Sequence, residues 1–461
     1  MTTDKKKFGR LIFLLGAALL ALAAWGLWAD LEWIAQPFYA YAWWSYILVL
    51  DGFCAMRRGH SLLTTRTRFL LPICVGSISF WFFFELLNLR FQNWYYVGVF
   101  TANSIPMVFA GAGFTMLCFA TVFTGIFETY EALTAAGLWR SWRGRSGKLF
   151  PWVSYAVQGL GAVMAGVAIL FPHYLAPLVW GSFTFLVDPW NYRRGARSIL
   201  RDLEARDWGL FARVFVAGLA CGLLWESFNF FAPQKWIYTV RGLENFKLFE
   251  MPLLGFLGFP ALAFDCLAAF SLLSYLFLGN ETWEHPEDLS YSLQRRARPS
   301  RLLLWGSLAV QPVFWAIVAH FLFQVNVGST QLELTDLDLS LQERNLLEVQ
   351  GIRRPRQLLQ TARDPERRAE LGRRLDWSAE RTREILDRAE LYTFKGIGKV
   401  QGQLLERIGV GRVRDLRAWE PEDLYARLRR ESRSRAGWEL ARLDMVRVWV
   451  LASQSGGILM R

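Results

Sequence analysis

Residues 70–88, Leu-Leu-Pro-Ile-Cys-Val-Gly-Ser-Ile-Ser-Phe-Trp-Phe-Phe-Phe-Glu-Leu-Leu-Asn, decide how this chain folds. No charge appears between Arg68 and Glu85, and the span is drawn from residue 68 to 89. That length suffices to cross a bilayer as a helix, which takes about 20 residues. Asn88 lies three residues beyond Glu85, on the same helical face. Trp94-Tyr95-Tyr96 follows, and the whole pattern returns as Glu226-Ser-Phe-Asn229 with Trp236-Ile237-Tyr238.

Working outward, apolar runs of spanning length occur at about 10–28, 38–56, 68–89, 103–128, 152–171, 174–190, 209–230, 250–278 and 301–324. The expected fold is all-α, a bundle of about nine spans over residues 1–330, followed by a soluble helical domain at 331–461. Other features also recur. Ser45, Asp51, Arg57 and Ser61 return with identical spacing as Ser182, Asp188, Arg194 and Ser198, and Ile105-Pro106 returns as Met251-Pro252. The bundle therefore reads as a duplicated four-helix unit, about 10–135 and 150–280, with a ninth span at about 301–324. An even number of helices per unit relates the halves by an axis along the membrane normal.

The formal charge of +12 sits largely in loops: Arg57, Arg58, Arg66 and Arg68; Arg140, Arg143, Arg145 and Lys148; Arg193, Arg194, Arg197 and Arg201; Arg295, Arg296, Arg298 and Arg301. Such loops mark the cytoplasmic side. The expectation is a bacterial inner-membrane protein with a cytoplasmic N-terminus. Lys5, Lys6 and Lys7 precede a signal anchor, and an odd span count carries the C-terminal domain to the outer face. Cys54, Cys74, Cys118, Cys221 and Cys266 all fall in apolar segments without CxxC spacing, which argues against a disulfide framework.

Ionisable side chains at membrane depth are costly and need partners or a wet cavity. Asp51 with Arg57 and Asp188 with Arg194 read as helix-end ion pairs. Glu85 with Asn88 and Glu226 with Asn229 read either as glue between helices or as part of a site near the pseudo-axis. That site would add Glu250, Asp265 and an aromatic pocket of Trp94, Tyr96, Trp236 and Tyr238. In an enzyme, Glu85, Asn88, Glu226, Asn229, Glu250 and Asp265 are the candidates for acid–base work. His60, His173, His285 and His320 are scattered, so no metal site is expected, and no nucleotide or cofactor fingerprint is present.

Trp225-Glu226, Trp236-Ile-Tyr238 and Met251-Pro252-Leu253-Leu254-Gly255 resemble the layout of the small integral-membrane lycopene cyclases. That resemblance implies a scaffold around a long apolar ligand. The paired glutamates after the cyclase Pro motif are replaced here by Leu254 and Gly255, and in the first repeat by Phe109 and Ala110.

In the soluble part, Tyr392-Thr-Phe394-Lys395-Gly396-Ile397-Gly398-Lys399, leading into Gln403-Leu404-Leu405-Glu406-Arg407-Ile408-Gly409-Val410, is similar to the helix-hairpin-helix pattern. The tandem form of that pattern occurs in a bacterial domain family of unknown function. Leu346-Leu347-Glu348 with Gly351-Ile352 and Arg354-Pro-Arg356-Gln-Leu358 repeats as Leu404-Leu405-Glu406 with Gly409-Val410 and Arg412-Val-Arg414-Asp-Leu416. Gly396 and Gly398 suit a tight turn whose amides would cradle phosphate, aided by Lys395, Lys399 and Arg407. The same surface suits a protein partner, with nucleic acid as the alternative.

Three functions are compatible with these features. The first is a membrane scaffold or binding protein that holds a lipid or isoprenoid-like ligand and recruits a partner through its C-terminal domain. The second is a membrane enzyme acting on an apolar isoprenoid-type substrate, and the third is a transporter.

Overall fold

The computed structural model describes residues 2–99, 105–240, 247–294, 299, 301–329, 331–433 and 441–454. Arg295, Arg296 and Arg298 of the fourth basic loop lie outside them. The chain forms two compact units, 1–91 with 104–233 and 248–323, and 92–103 with 234–247 and 324–461. A simple cut near residue 330 therefore misses two short inter-helix segments that belong to the second unit.

The first unit is helical: α1 (Thr2–Trp28), α2 (Phe38–Arg58), α3 (Leu70–Phe91), α4 (Ile105–Phe119), α5 (Thr121–Ala135), α6 (Pro151–Leu170), α7 (Ser182–Arg194), α8 (Trp208–Phe231), α9 (Gly258–Phe277) and α10 (Arg301–Val325). Among the described residues, seven helical segments are long and apolar enough to cross a membrane: Asp4–Trp28, Thr67–Phe91, Gly111–Ala135, Pro151–Leu170, Trp208–Phe231, Leu253–Phe277 and Leu304–Val325. The two expected spans missing from this set are the duplicated pair α2 and α7. α2 has the length but carries Asp51, Arg57 and Arg58. α7 is only 13 residues long, about 20 Å at 1.5 Å per residue. The run expected at 174–190 is broken by a 3-10 turn at Ala176–Val179 and by Gly181, whose φ of 88° is left-handed.

The expected span at 103–128, whose first two residues lie outside the described ones, begins as α4 at Ile105 and extends beyond its expected end. Its helix breaks at Ala120, where the Ser77 hydroxyl donates to the Phe119 carbonyl at 2.6 Å and accepts from the Phe123 amide at 3.0 Å. A side chain inserted into the backbone ladder is a recognised cause of such kinks. The span then runs to Ala135.

The duplication shows in the packing. α1 lies on α2 as α6 lies on α7, α2 on α5 as α7 on α9, α3 on α5 as α8 on α9, and α5 on α8 as α9 on α3. Small residues allow the closest approaches. A Cβ at Gly9 would stand 2.5 Å from Ala55 Cβ, and one at Gly161 would stand 2.7 Å from the Leu186 amide nitrogen. Interior aromatics interlock, as in the stacked Phe84 and Trp180 rings, 4.8 Å apart. Leu14, Trp25, Trp152, Val163, Trp305 and Val310 are exposed, as on helices that face lipid.

The second unit contains a three-stranded sheet in the order β2–β1–β3, from β1 (Trp94–Val97), β2 (Lys235–Tyr238) and β3 (Val327–Ser329). β1 and β2 pair antiparallel with Trp94 opposite Tyr238 and Tyr96 opposite Trp236. Each repeat's Trp therefore meets the other's Tyr, the self-complementary arrangement of a local two-fold. Alternate residues point to opposite faces. Tyr95 and Ile237 enter the unit's core with Leu347, Leu391, Leu405 and Trp449.

The remaining helices are α11 (Leu341–Val349), α12 (Pro355–Ala362), α13 (Pro365–Arg374), α14 (Ala379–Thr393), α15 (Gly398–Arg407), α16 (Pro421–Arg433) and α17 (Leu443–Gln454). The second duplication appears as two equal helix ends. Gly351 and Gly409 are left-handed (φ 79° and 89°). Ile352 donates to the Leu347 carbonyl and Val410 to the Leu405 carbonyl, both at 2.9 Å, as in a Schellman cap.

Candidate functional site

Asp51 and Asp188 do not form the ion pairs their spacing with Arg57 and Arg194 implies. Asp51 accepts the Ser61 hydroxyl and the Leu63 amide, both at 2.8 Å. Asp188 accepts the Ser198 hydroxyl at 3.0 Å and the amides of Ile199 and Leu200 at 2.7 and 2.9 Å. Each carboxylate thus anchors the first turn of a short helix, Leu62–Thr65 or Ile199–Ala205, where the helix dipole and unpaired amides favour an anion. Arg57 is exposed, and Arg194 lies over the Trp190 ring at 5.5 Å. An exposed guanidinium gains little from a carboxylate already held by its own donors.

Asp265, in α9, accepts the Gly181 amide at 2.8 Å and the Thr184 amide and hydroxyl at 2.6 and 2.5 Å. It therefore caps α7, the helix that starts inside the bundle. α2 runs unbroken through the matching position, and this explains why the first repeat has no equivalent of Asp265.

Glu85, Asn88, Glu226 and Asn229 are fully buried. The Trp81 indole donates to Glu85 at 3.1 Å, whereas Glu226 lies near Tyr39. Glu250 does not begin a helix. It is buried in the turn between Lys247–Leu248 and Met251–Pro252, and α9 starts only at Gly258. Trp94, Tyr96, Trp236 and Tyr238 are brought together on one face of the sheet by its register.

The Lys395–Lys399 turn is packed within its own unit. The Lys395 carbonyl accepts the Tyr95 hydroxyl at 2.7 Å and the Trp449 indole at 3.1 Å. Gly396 and Gly398 are buried: a Cβ on Gly396 would stand 2.7 Å from Val97, and one on Gly398 2.9 Å from Ser329. Lys399 pairs with Asp336 at 3.1 Å. Arg407, at the end of α15, is exposed. The two glycines thus admit β1 and β3 where an open cradle would have admitted phosphate.

Among the described residues, a dense polar assembly gathers where the basic loops meet residues 279–291. Arg66 is held by both oxygens of Glu131, each at 2.6 Å, and also donates to the Trp283 carbonyl. Arg58 is held by Asp288 at 2.7 and 2.8 Å. Arg197 is held by Glu284 at 2.6 and 3.1 Å and by Asp202. The His60 and His285 rings stack at 4.0 Å. Burial, with His285, Arg58 and Arg66 nearby, pushes His60 down to about 4; burial also lowers His285.

Beneath this layer, Glu128 is 1% exposed; no N–H or hydroxyl donor reaches either oxygen, and its carboxyl is in hydrogen-bond contact with that of Asp51. It lies beside Asp51 and forms a close group with Cys54 and Glu131. Glu128 and Glu131 were not singled out from the sequence because the span drawn to 128 placed them at or beyond its end. The signal available was spacing: Asp51-x-x-Cys54 and Glu128-x-x-Glu131 are both one-turn pairs, on helices that pack together.

Residues 338–455 match the family model of a domain of unknown function, DUF4332. No curated protein and no solved structure matches this chain.

Proposed function

We propose that this chain is a membrane-embedded scaffold that presents its C-terminal helical unit to a partner. The sheet is the observation that carries this reading. β1 and β2, which follow α3 and α8, one from each repeat, pair with each other, and β1 also pairs with β3, which leads into the C-terminal helices. For β1, β2 and β3 to meet, the chain between them must cross the membrane an even number of times. This supports α7 crossing together with its preceding turn, and with α2 crossing as well the total is nine. The arginine-rich loops alternate with the sheet-forming segments, so the positive-inside bias supports an inner-membrane protein with the C-terminal unit on the outer face.

The fate of the acids favours a scaffold over an acid–base enzyme. Asp51, Asp188 and Asp265 are engaged in holding helix ends. A cavity bounded by Ile126, Phe127, Tyr130, Val214, Ala263 and Leu267 measures about 10 Å³, room for one water at most. The outer helix faces therefore suit membrane lipid better than this cavity does. A second reading, binding of an isoprenoid-like ligand, is favoured by the aromatic quartet on one face of the sheet.

For the partner, the C-terminal unit offers a shallow groove lined by Leu341, Gln342, Asn345, Leu346 and Val349, with Val349 86% exposed. An apolar stripe about two turns long suits an amphipathic helix of another protein. Reporter fusions at the C-terminus and photocrosslinking from position 349 in native membranes test both parts. The expected results are an outer-face reporter signal and a crosslinked species that disappears in Leu341→Asp/Leu346→Asp. A cytoplasmic signal, or crosslinking indifferent to those changes, overturns the proposal.

A further inference from the structure

Two pairs of potential ligands face each other where α2 packs on α5: Asp51 and Cys54 on one helix, Glu128 and Glu131 on the other. One ligand atom from each of Cys54, Glu128 and Glu131 lies within 4.8 Å of the others, and all three residues are buried. Asp51 lies against Glu128. We infer that this group is a binding site for one divalent transition-metal ion of zinc type. Cys54 Sγ and the Glu128 and Glu131 carboxylates would serve as ligands, and Asp51 would stand beside them.

Charge is the first argument. Three carboxylates against the single guanidinium of Arg66 leave two negative charges, because the neighbouring Arg58 is already held bidentate by Asp288. Uncompensated buried charge is severely destabilising; a dication bound with Cys54 as the thiolate offsets most of it, leaving one negative charge on the group. Satisfaction is the second argument. Arg66 holds Glu131, and Ser61 with Leu63 holds Asp51, whereas the 1% exposed Glu128 receives no N–H or hydroxyl donor and its carboxyl meets that of Asp51, a contact that needs either a shared proton or a cation between the two.

The second repeat supplies an internal comparison. Its Asp188 performs the same helix-capping task as Asp51, yet the residue one turn on is Asn191, whose amide donates to the Ala268 carbonyl at 2.9 Å. The facing helix α9 offers Ser271 and Ser274, each bonded to a backbone carbonyl. Capping alone therefore needs neither thiol nor glutamates. A thiolate with carboxylates suits zinc, or cobalt in its place, at about 2.0–2.3 Å per ligand. Inward-facing one-turn pairs on adjacent helices are a known way of building metal sites in bundles.

The test uses the full chain in detergent, stripped with a chelator and titrated with Co²⁺. The expected result is one Co²⁺ per chain with a thiolate-to-cobalt charge-transfer band. Cys54→Ser should abolish the band, and Glu128→Gln should weaken binding at least tenfold, while Asn191→Ala leaves both unchanged. If Glu128→Gln fails to fold, the band and its loss in Cys54→Ser still decide. Absence of Co²⁺ binding by the wild-type chain, or equal binding by wild type and both variants, overturns the site. So does infrared detection of a protonated Glu128 that Co²⁺ leaves unaltered.

Discussion

Asp188 accepts the Ser198 hydroxyl at 3.0 Å, and in the first repeat Asp51 accepts that of Ser61 at 2.8 Å. The duplicated aspartates are thus tied to the duplicated serines ten residues on, across a basic turn, while the arginines between them point elsewhere.

From this tie it follows that Asp188→Ala, which strands two amides and a hydroxyl in a buried setting, destabilises the bundle by about 3 kcal/mol. Ser198→Ala removes one bond and costs about 1 kcal/mol. Arg194→Ala should stay within about 0.5 kcal/mol of wild type, as surface changes do. Denaturant unfolding in detergent gives the order. A large effect at Arg194 would restore the ion-pair reading.

Asp265 provides a second test, because it caps a helix that begins inside the bundle. Asp265→Asn keeps an acceptor for the Gly181 or Thr184 amide and should lower stability by about 1–2 kcal/mol, against about 3 kcal/mol for Asp265→Ala. Near-equal losses in thermal unfolding would show that the carboxylate matters for something beyond accepting these bonds.

In the C-terminal unit, Gly396 and Gly409 share left-handed backbone, but only Gly396 is crowded, by Val97 and Tyr95. Gly409→Ala should cost about 1 kcal/mol from backbone strain alone. Gly396→Ala should cost roughly 2–4 kcal/mol, since the sheet must also shift. Equal midpoints in urea melts of the two variants would mean that Val97 gives way freely.

The stacked His60 and His285 predict a pH response. His60 titrates near 6.5 when unfolded and about 4 in the fold, so the unfolded state binds the extra proton between these values. Its contribution is present above about pH 6.5 and is lost as the pH falls through about 4. Arg58 and Arg66 oppose its charging, and Asp288 favours it. Amide exchange across residues 279–291 should quicken over that interval in wild type and less in His60→Gln; identical profiles would remove His60 as the cause.

Much of the fold was legible in the chain. Segments such as 70–88 show their character through length and lack of charge, and the repeats show through matched residues at matched spacing. The break in α7 was obscured because Gly181 lies within an apolar run that hydropathy alone treats as continuous. The break in the expected fourth span was hidden for a different reason. It depends on a hydroxyl from another helix, Ser77, entering the backbone between Phe119 and Phe123. The aromatic quartet was legible as a set, through duplication, but not as a sheet, because β1 and β2 are four residues each and their partners lie 138 to 144 positions apart.

What the sequence by itself determined is local or periodic: an all-α bundle with helices long and apolar enough to cross a membrane, the recurrence of matched residues in its two halves, and a C-terminal helical domain with two like helix ends, since length, hydropathy and repeat spacing are properties of single segments. Tertiary structure alone decided the partner of each buried charge. Asp51 chose Ser61 over Arg57, Asp265 reached an end of α7, and Glu128 came to lie with Cys54 and Glu131. A carboxylate in a low-dielectric interior binds whichever donors the packing delivers within about 3 Å, and that delivery depends on helix breaks and crossings that no single segment encodes.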